Sequence, residues 1–200
     1  MPHTVIFDLG GVLIDWNPRY LYRKLLDDEA AVEHFLATIC TPAWNEQQDA
    51  GRPITEAVAQ LTAQWPRQAD LIAAYYDRWI EMLGGPMMET VDVLAALHQR
   101  RVPLFALTNW SAETFPYVSD RYDFLGWFQG IVVSGREKMK KPDRRIYQVL
   151  LDRYGLAAHD TVFIDDSAAN VAAAREVGLH ALRFDTAPAL RRDLEGLGLL

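Results

Sequence analysis

The chain has 200 residues, half of them hydrophobic and 24% charged. That length supports one domain with a sizeable core and a small insertion, and the composition excludes both a disordered chain and a long coiled coil. A formal net charge of −7 without any basic run argues against a broad nucleic-acid surface, while leaving room for a small anionic substrate in a locally cationic cleft.

The first element is a strand over His3–Phe7 that runs into Asp8. It follows no basic leader or small-residue cleavage site, and nowhere does an apolar stretch approach the ~20 residues of a membrane span, so neither secretion nor membrane insertion is expected. From about Arg19 to Leu83 the pattern is helical throughout, broken at Thr41-Pro42, Gly51-Arg52-Pro53 and Trp65-Pro66. We read residues 18–83 as a four-helix cap inserted into a core of residues 1–17 and 84–200, with Gly84-Gly85-Pro86 marking the return. The single cysteine, Cys40, excludes an intrachain disulfide framework and fits a reducing cytoplasm. It ends a helix-like stretch with no glycine-rich phosphate loop behind it, which reads as a buried thiol rather than a nucleophile.

Beyond the cap, helix and strand alternate. A helix over Met87–Arg100 precedes a strand over Val102–Leu107 that leads into Thr108, and a strand over Phe128–Val133 leads into Ser134. A helix over Asp143–Tyr154 precedes a strand over Thr161–Ile164 leading into Asp165. Ser167 is placed to cap an alanine-rich helix ending near Gly178, and a last strand spans Leu179–Phe184. Continuous apolar runs of this kind are buried parallel strands, so the class is α/β. Ligands of such sheets collect beyond the carboxyl ends of the strands, where Asp8, Thr108, Ser134, Asp165 and Asp166 all fall.

Four pieces stand out in order: Phe7-Asp8-Leu9-Gly10-Gly11-Val12-Leu13, Leu107-Thr108-Asn109, Lys141-Pro142-Asp143 and Phe163-Ile164-Asp165-Asp166-Ser167. Together they resemble the four motifs of the haloacid dehalogenase (HAD) superfamily, over essentially the whole chain. Within it, DLGGVL, KPDRRIY and FIDDSAANV are similar to bacterial α-D-glucose-1-phosphate phosphatases and to the N-terminal phosphatase domain of soluble epoxide hydrolases. The resemblance implies a three-layer Rossmann-like core with a helical cap, and a phosphatase that forms an aspartyl-phosphate with the help of Mg²⁺. Asp8 is then the nucleophile. Asp8, Asp166 and the Gly10 carbonyl are the metal ligands, with Asp165 alongside them. Thr108 and the Asn109 backbone donate to phosphoryl oxygens, and Lys141 supplies positive charge to nucleophile and phosphate. Asp165 and Asp166 also fit plain helix-end electrostatics, and Thr108 also fits a cap for a helix starting at Ser111. Asn170 fits either a support for the metal loop or a solvent-facing side chain.

One position departs from the pattern. Phosphatases of this superfamily usually carry a second aspartate two residues after the nucleophile, which protonates the leaving alcohol; here Gly10 stands there. Asp15, in the loop after the first strand, is a candidate substitute, as is water. Two other readings stay open: a 2-haloacid dehalogenase using the same Asp8, which Gly10 and the paired aspartates disfavour, and a non-catalytic phosphate-binding regulator. Substrate selection is expected from Trp16, Asn17 and Arg19 after the nucleophile and from Trp44, Asn45 and Arg52 in the cap. An indole stacking on a sugar face favours a sugar phosphate. Trp44 equally fits the cap core.

Overall fold

The structure, a computed structural model, describes residues 2–200. Among them are seven strands: β1 (Thr4–Phe7), β2 (Ile14–Trp16), β3 (Leu83–Pro86), β4 (Leu104–Thr108), β5 (Gly130–Val133), β6 (Thr161–Asp165) and β7 (His180–Arg183). Five of them form one parallel sheet in the order β5-β4-β1-β6-β7, so the first strand lies at its centre. Val5, Phe7, Val162 and Ile164 enter one apolar cluster, while Ile6, Phe105, Leu107 and Phe163 enter the other on the opposite face. Alternate side chains of β1 and β6 thus feed helices on both sides, and this two-sided burial is why these strands read as unbroken apolar runs. The result is a three-layer α/β, Rossmann-like fold.

Register decides what meets at the carboxyl edge. Phe7 lies opposite Ala106 of β4 on one side and Ile164 of β6 on the other. The next residues along each strand, Asp8, Leu107 and Asp165, therefore stand level on three neighbouring strands.

The short strands β2 and β3 were not expected from the sequence. Asp15, assigned above to a loop, lies in β2, and Gly84–Pro86 lie in β3, the two pairing antiparallel. Between them the chain is helical: α1 (Arg19–Tyr22), α2 (Glu29–Thr38), α3 (Pro42–Asp49), α4 (Ile54–Gln64) and α5 (Ala69–Asp77), with two short 3₁₀ turns. Asp28 caps α2 and Thr41 caps α3 through side-chain acceptors, and Pro42 occupies the first turn of α3, where no amide partner is needed. No helix among the described residues is long and apolar enough to cross a membrane.

Candidate active site

Lys141 organises the carboxyl edge. Its ammonium donates to Leu107 O at 2.8 Å and to Asp165 Oδ2 at 2.6 Å, and lies 2.8 Å from Asp8 Oδ2. These are the three residues that the sheet register sets level. The side chain is almost wholly buried, so its charge is held by geometry on every side rather than by water. Asn109 locks its position from the main chain, donating from Nδ2 to Lys141 O at 3.0 Å and accepting the Lys141 N–H at 2.8 Å.

The three carboxylates are not equivalent. Asp165 is fully buried, and both its oxygens are occupied by Lys141, the Ser167 N–H and the Asn170 amide. It positions Lys141 and the following helix, and Asn170 is accordingly buried rather than facing solvent. Asp166 is exposed beside Gly11, and its carboxylate is open to a ligand. A Cβ on Gly11, which has φ +75°, would stand 2.8 Å from Asp166 Oδ2, so only glycine lets the nucleophile loop and the Asp166 loop approach this closely. Asp8 is bonded by the Leu9 N–H at 2.7 Å through Oδ1. Burial pushes its carboxyl up to about 7; the Lys141 charge opposes the rise and Asp165 adds to it. Burial and Asp165 also raise Asp166.

Oxygen atoms of Asp8, Asp165 and Asp166 lie within 4.8 Å of one another. A set of hard oxygens this close suits magnesium, which prefers about six oxygen ligands. With Asp165 already saturated, Asp8, Asp166 and the Gly10 carbonyl are the residues that fit it. Thr108 adds a second sign of an absent group: its Oγ1 is buried with no hydrogen-bond partner among the described residues, an arrangement costing about 1–3 kcal/mol unless an incoming acceptor satisfies it. No helix starts at Ser111 for Thr108 to cap; the next helix begins at Pro116.

A cavity of about 290 Å³ opens in front of Asp8, Gly10, Gly11 and Asp166. Trp16, Trp79, Trp110 and Tyr76 form its aromatic walls, and Asn45, Asp49, Asn109 and Ser111 its polar ones. The indole N–H groups of Trp16 and Trp110 are buried without partners among the described residues. Asp49, Tyr76, Trp79 and Trp110 were not singled out in the sequence; helix α3 carries Asp49 and Asn45 on the face turned to the core.

Trp44 and Arg52 do not line this cavity. Trp44 is buried in the cap between Tyr75 and Tyr76, at centroid distances of 5.2 and 5.5 Å, which is the core role that its sequence context equally allowed. Arg52 borders a separate cap cavity with Gln60 and Gln64 and donates to Gln47 Oε1. Asp15 does not line it either: its carboxylate accepts the Tyr20 hydroxyl at 2.6 Å and packs against Gly84, so it is not the substitute acid. Arg19 is paired with Glu33. The Cys40 thiol is buried and pushed up to about 12 by that burial, which rules it out as a nucleophile at neutral pH.

A family model for haloacid dehalogenase-like hydrolases matches residues 2–178. A sesquiterpene phosphatase of Aspergillus oryzae is 28% identical over 97% of this chain and 95% of its own length. A phosphoglycolate phosphatase of Photobacterium profundum is 28% identical over 89% of this chain and 81% of its own. Among solved structures, a HAD family enzyme from Bacteroides thetaiotaomicron, an Asp-to-Ala mutant in complex with magnesium and inorganic phosphate, superposes with a TM-score of 0.70 at 20% identity, covering 92% of this chain and 95% of the other.

Proposed function

The chain belongs to the haloacid dehalogenase-like hydrolases, and from that premise we propose that this enzyme is a magnesium-dependent phosphatase of small phosphomonoesters, acting through an aspartyl-phosphate on Asp8. The observation that carries the reading is the convergence at one sheet edge of Asp8, Asp166 and the buried cation Lys141, the two carboxylates lining one cavity. A phosphate dianion and a carboxylate repel, and the three charges here arrange for that repulsion to be overcome.

Magnesium, held by Asp8, Asp166 and the Gly10 carbonyl, would neutralise charge on both the ester and the attacking group. Lys141 favours the ionised form of Asp8 against its burial and aims it by gripping its Oδ2. The orphaned Thr108 hydroxyl and the Asn109 main chain supply donors to the transferring phosphoryl oxygens. Asp165 holds Lys141 and does not meet the substrate. Water then cleaves the aspartyl-phosphate and frees Asp8 for the next turnover.

The leaving group we favour is a sugar. Aromatic faces beside the amides of Asn45 and Asn109 match a small body that is apolar on its ring faces and hydrogen-bonding at its rim. Both relatives described above bear phosphatase names, which supports the reaction class and leaves the leaving group to measurement.

The test is a metabolite phosphatase panel, with Mg²⁺ and with a chelator, on wild type and Asp8→Asn. The expected result is metal-dependent phosphate release that falls about 10⁴-fold or more in the variant. Undiminished turnover by Asp8→Asn would refute the covalent route. Preference for a prenyl monophosphate over sugar phosphates would replace the sugar by an apolar leaving group.

A further inference from the structure

The cap places one carboxyl inside the cavity that the mechanism above does not use. Asp49 lies at the last residue of α3 and lines the cavity with Asp8, Gly10 and Asp166. Opposite, at the place where related phosphatases carry their acid, Gly10 offers only space: a Cβ built there meets nothing within 4 Å. The leaving oxygen of a bound ester therefore has no proton donor on the nucleophile loop. Asp15, the other nearby carboxylate, is turned away and held by Tyr20.

We propose that Asp49, delivered by the cap, is the proton donor to the leaving oxygen and then the base for the hydrolytic water. The assignment rests on the phosphatase reading above and deepens it.

Asp49 is held as a positioned group rather than a loose surface acid. Gln48 donates to the Tyr76 hydroxyl at 2.9 Å, Tyr76 donates to Asn45 Oδ1 at 3.0 Å, and Asn45 Nδ2 donates to Asp49 Oδ2 at 3.1 Å. Gln48 is fully buried and also bonded to Trp44 O, so the relay starts from a rigid point in the cap. The main chain is fixed as well: Ser134 Oγ donates to Asp49 O, and Trp110 N–H donates to the same hydroxyl at 2.9 Å. A Cβ on Gly51 would lie 3.0 Å from Gly135 O, so the end of α3 rests directly on the core loop. The cap is thus docked with Asp49 facing the chemistry.

The surroundings favour the protonated carboxyl. Burial pushes Asp49 up to about 7, and Glu46 on the same helix adds to the rise. Lys140 of the core and the Ser111 N–H oppose it, with Lys140 drawn off by its 3.1 Å pair with Glu46. Tyr75 and Tyr76 of α5 are neutral neighbours, both raised by burial, and Arg52 is turned to Gln47. A carboxyl that titrates near neutrality can both give and take a proton at working pH.

The proton count closes. In the first step Asp8 forms a bond to phosphorus, the ester P–O bond breaks, and the Asp49 proton goes to the departing oxygen to give an alcohol. In the second, water attacks phosphorus, its proton returns to the Asp49 carboxylate, and the bond to Asp8 breaks to release phosphate and the Asp8 carboxylate.

The test uses leaving groups of graded basicity, from p-nitrophenyl phosphate, whose phenolate leaves unaided, to butyl phosphate, whose alkoxide does not. The readout is kcat/KM with Mg²⁺, which reports formation of the aspartyl-phosphate. Asp49→Asn is expected to lose about 10²–10⁴-fold on butyl phosphate and much less on p-nitrophenyl phosphate, so that dependence on the leaving group steepens. The alkaline fall of the wild-type butyl phosphate profile, set by ionisation of Asp49, disappears in the variant. Adding Gly10→Asp to Asp49→Asn, into the open space at residue 10, is expected to restore the alkyl substrate selectively. An equal loss on both substrates, or no loss, overturns the assignment, and so does a double variant that folds and releases p-nitrophenol without regaining the alkyl ester. Wild type inert toward every phosphomonoester overturns the phosphatase reading and this one together; a wild type working through Asp8, with leaving-group dependence unmoved by Asp49→Asn, overturns this one alone.

Discussion

Lys141 is one cation holding two buried carboxylates, and that imbalance makes it the most costly residue in the site to remove. Transferring charges out of water carries a large penalty that only close pairing offsets, and here the pairing is 2.6 Å to Asp165 and 2.8 Å to Asp8. Lys141→Met matches the side chain in length and deletes the charge. It leaves Asp165 buried with an uncompensated charge and Asp8 with burial unopposed, so its carboxyl rises further from about 7. We expect a loss of about 3–5 kcal/mol in urea unfolding and turnover reduced by about 10²-fold or more. Lys141→Arg keeps the charge but presents a planar fork where the site receives a compact ammonium with three separate acceptors, and it should not restore turnover. An Arg variant with wild-type turnover would show that charge alone suffices.

At the scale of elements, the cap is fastened to the sheet edge by a few polar contacts, and Ser134 makes one of them. Its hydroxyl accepts the Trp110 N–H and donates to the carbonyl at the end of α3. Glu113 accepts the Ile54 N–H of α4, and Lys140 pairs with Glu46, from the same side. Ser134→Ala orphans the Trp110 N–H and the Asp49 carbonyl together, so unfolding should be easier by about 1–3 kcal/mol. Because the cavity wall is built from both sides of this joint, KM should rise severalfold with a smaller change in kcat; an unaltered KM would mean that the cap seats without this serine. The same joint marks where the sequence stops being legible. The five sheet strands could be read because both faces of the sheet are buried, giving apolar runs such as Thr4–Phe7 and Thr161–Asp165 that end at polar residues. Asp8 and the paired aspartates stood out because each follows such a run, and Lys141 because it stands directly before Pro142 in a stretch that resembles a family motif. Strands β2 and β3 could not: Ile14–Trp16 is three residues long, and Leu83–Pro86 holds two glycines and a proline, so their pairing exists only through tertiary approach. In the cap, helical periodicity cannot say which stripe faces the sheet and which faces the neighbouring helices. Trp44 and Asp49 sit five positions apart on α3 and face different ways, the indole into the cap and the carboxyl into the cavity.

For the whole molecule, the buried acids make stability depend on pH and metal in a coupled way. Asp8 and Asp49 both titrate near 7 in the folded chain, against an ordinary carboxyl value of 3.8. A raised folded value means that the folded state holds protons which the unfolded chain has released between about pH 4 and pH 7. Metal-free protein should therefore lose stability as pH rises through that window and level off above it, the reverse of the behaviour of carboxylates whose folded value is lowered. Magnesium acts in the opposite direction. On the proposed reading it binds the folded state only, and at a hundredfold excess over its Kd would contribute about 2.7 kcal/mol, or roughly 5–10 °C in Tm for a domain of this size. Since protons compete for the same oxygens of Asp8 and Asp166, that gain should be large at pH 7.5 and small at pH 5. Thermal melts at the two pH values, with Mg²⁺ and with chelator, read both effects at once. Asp166→Ala should abolish the Mg²⁺ shift, because it removes the open ligand, whereas Asp15→Ala should keep it, since that carboxylate is engaged by Tyr20 outside the cavity. A shift of equal size at both pH values, or one that survives Asp166→Ala, would place the cation elsewhere, and would remove the charge neutralisation that the proposed attack by Asp8 requires.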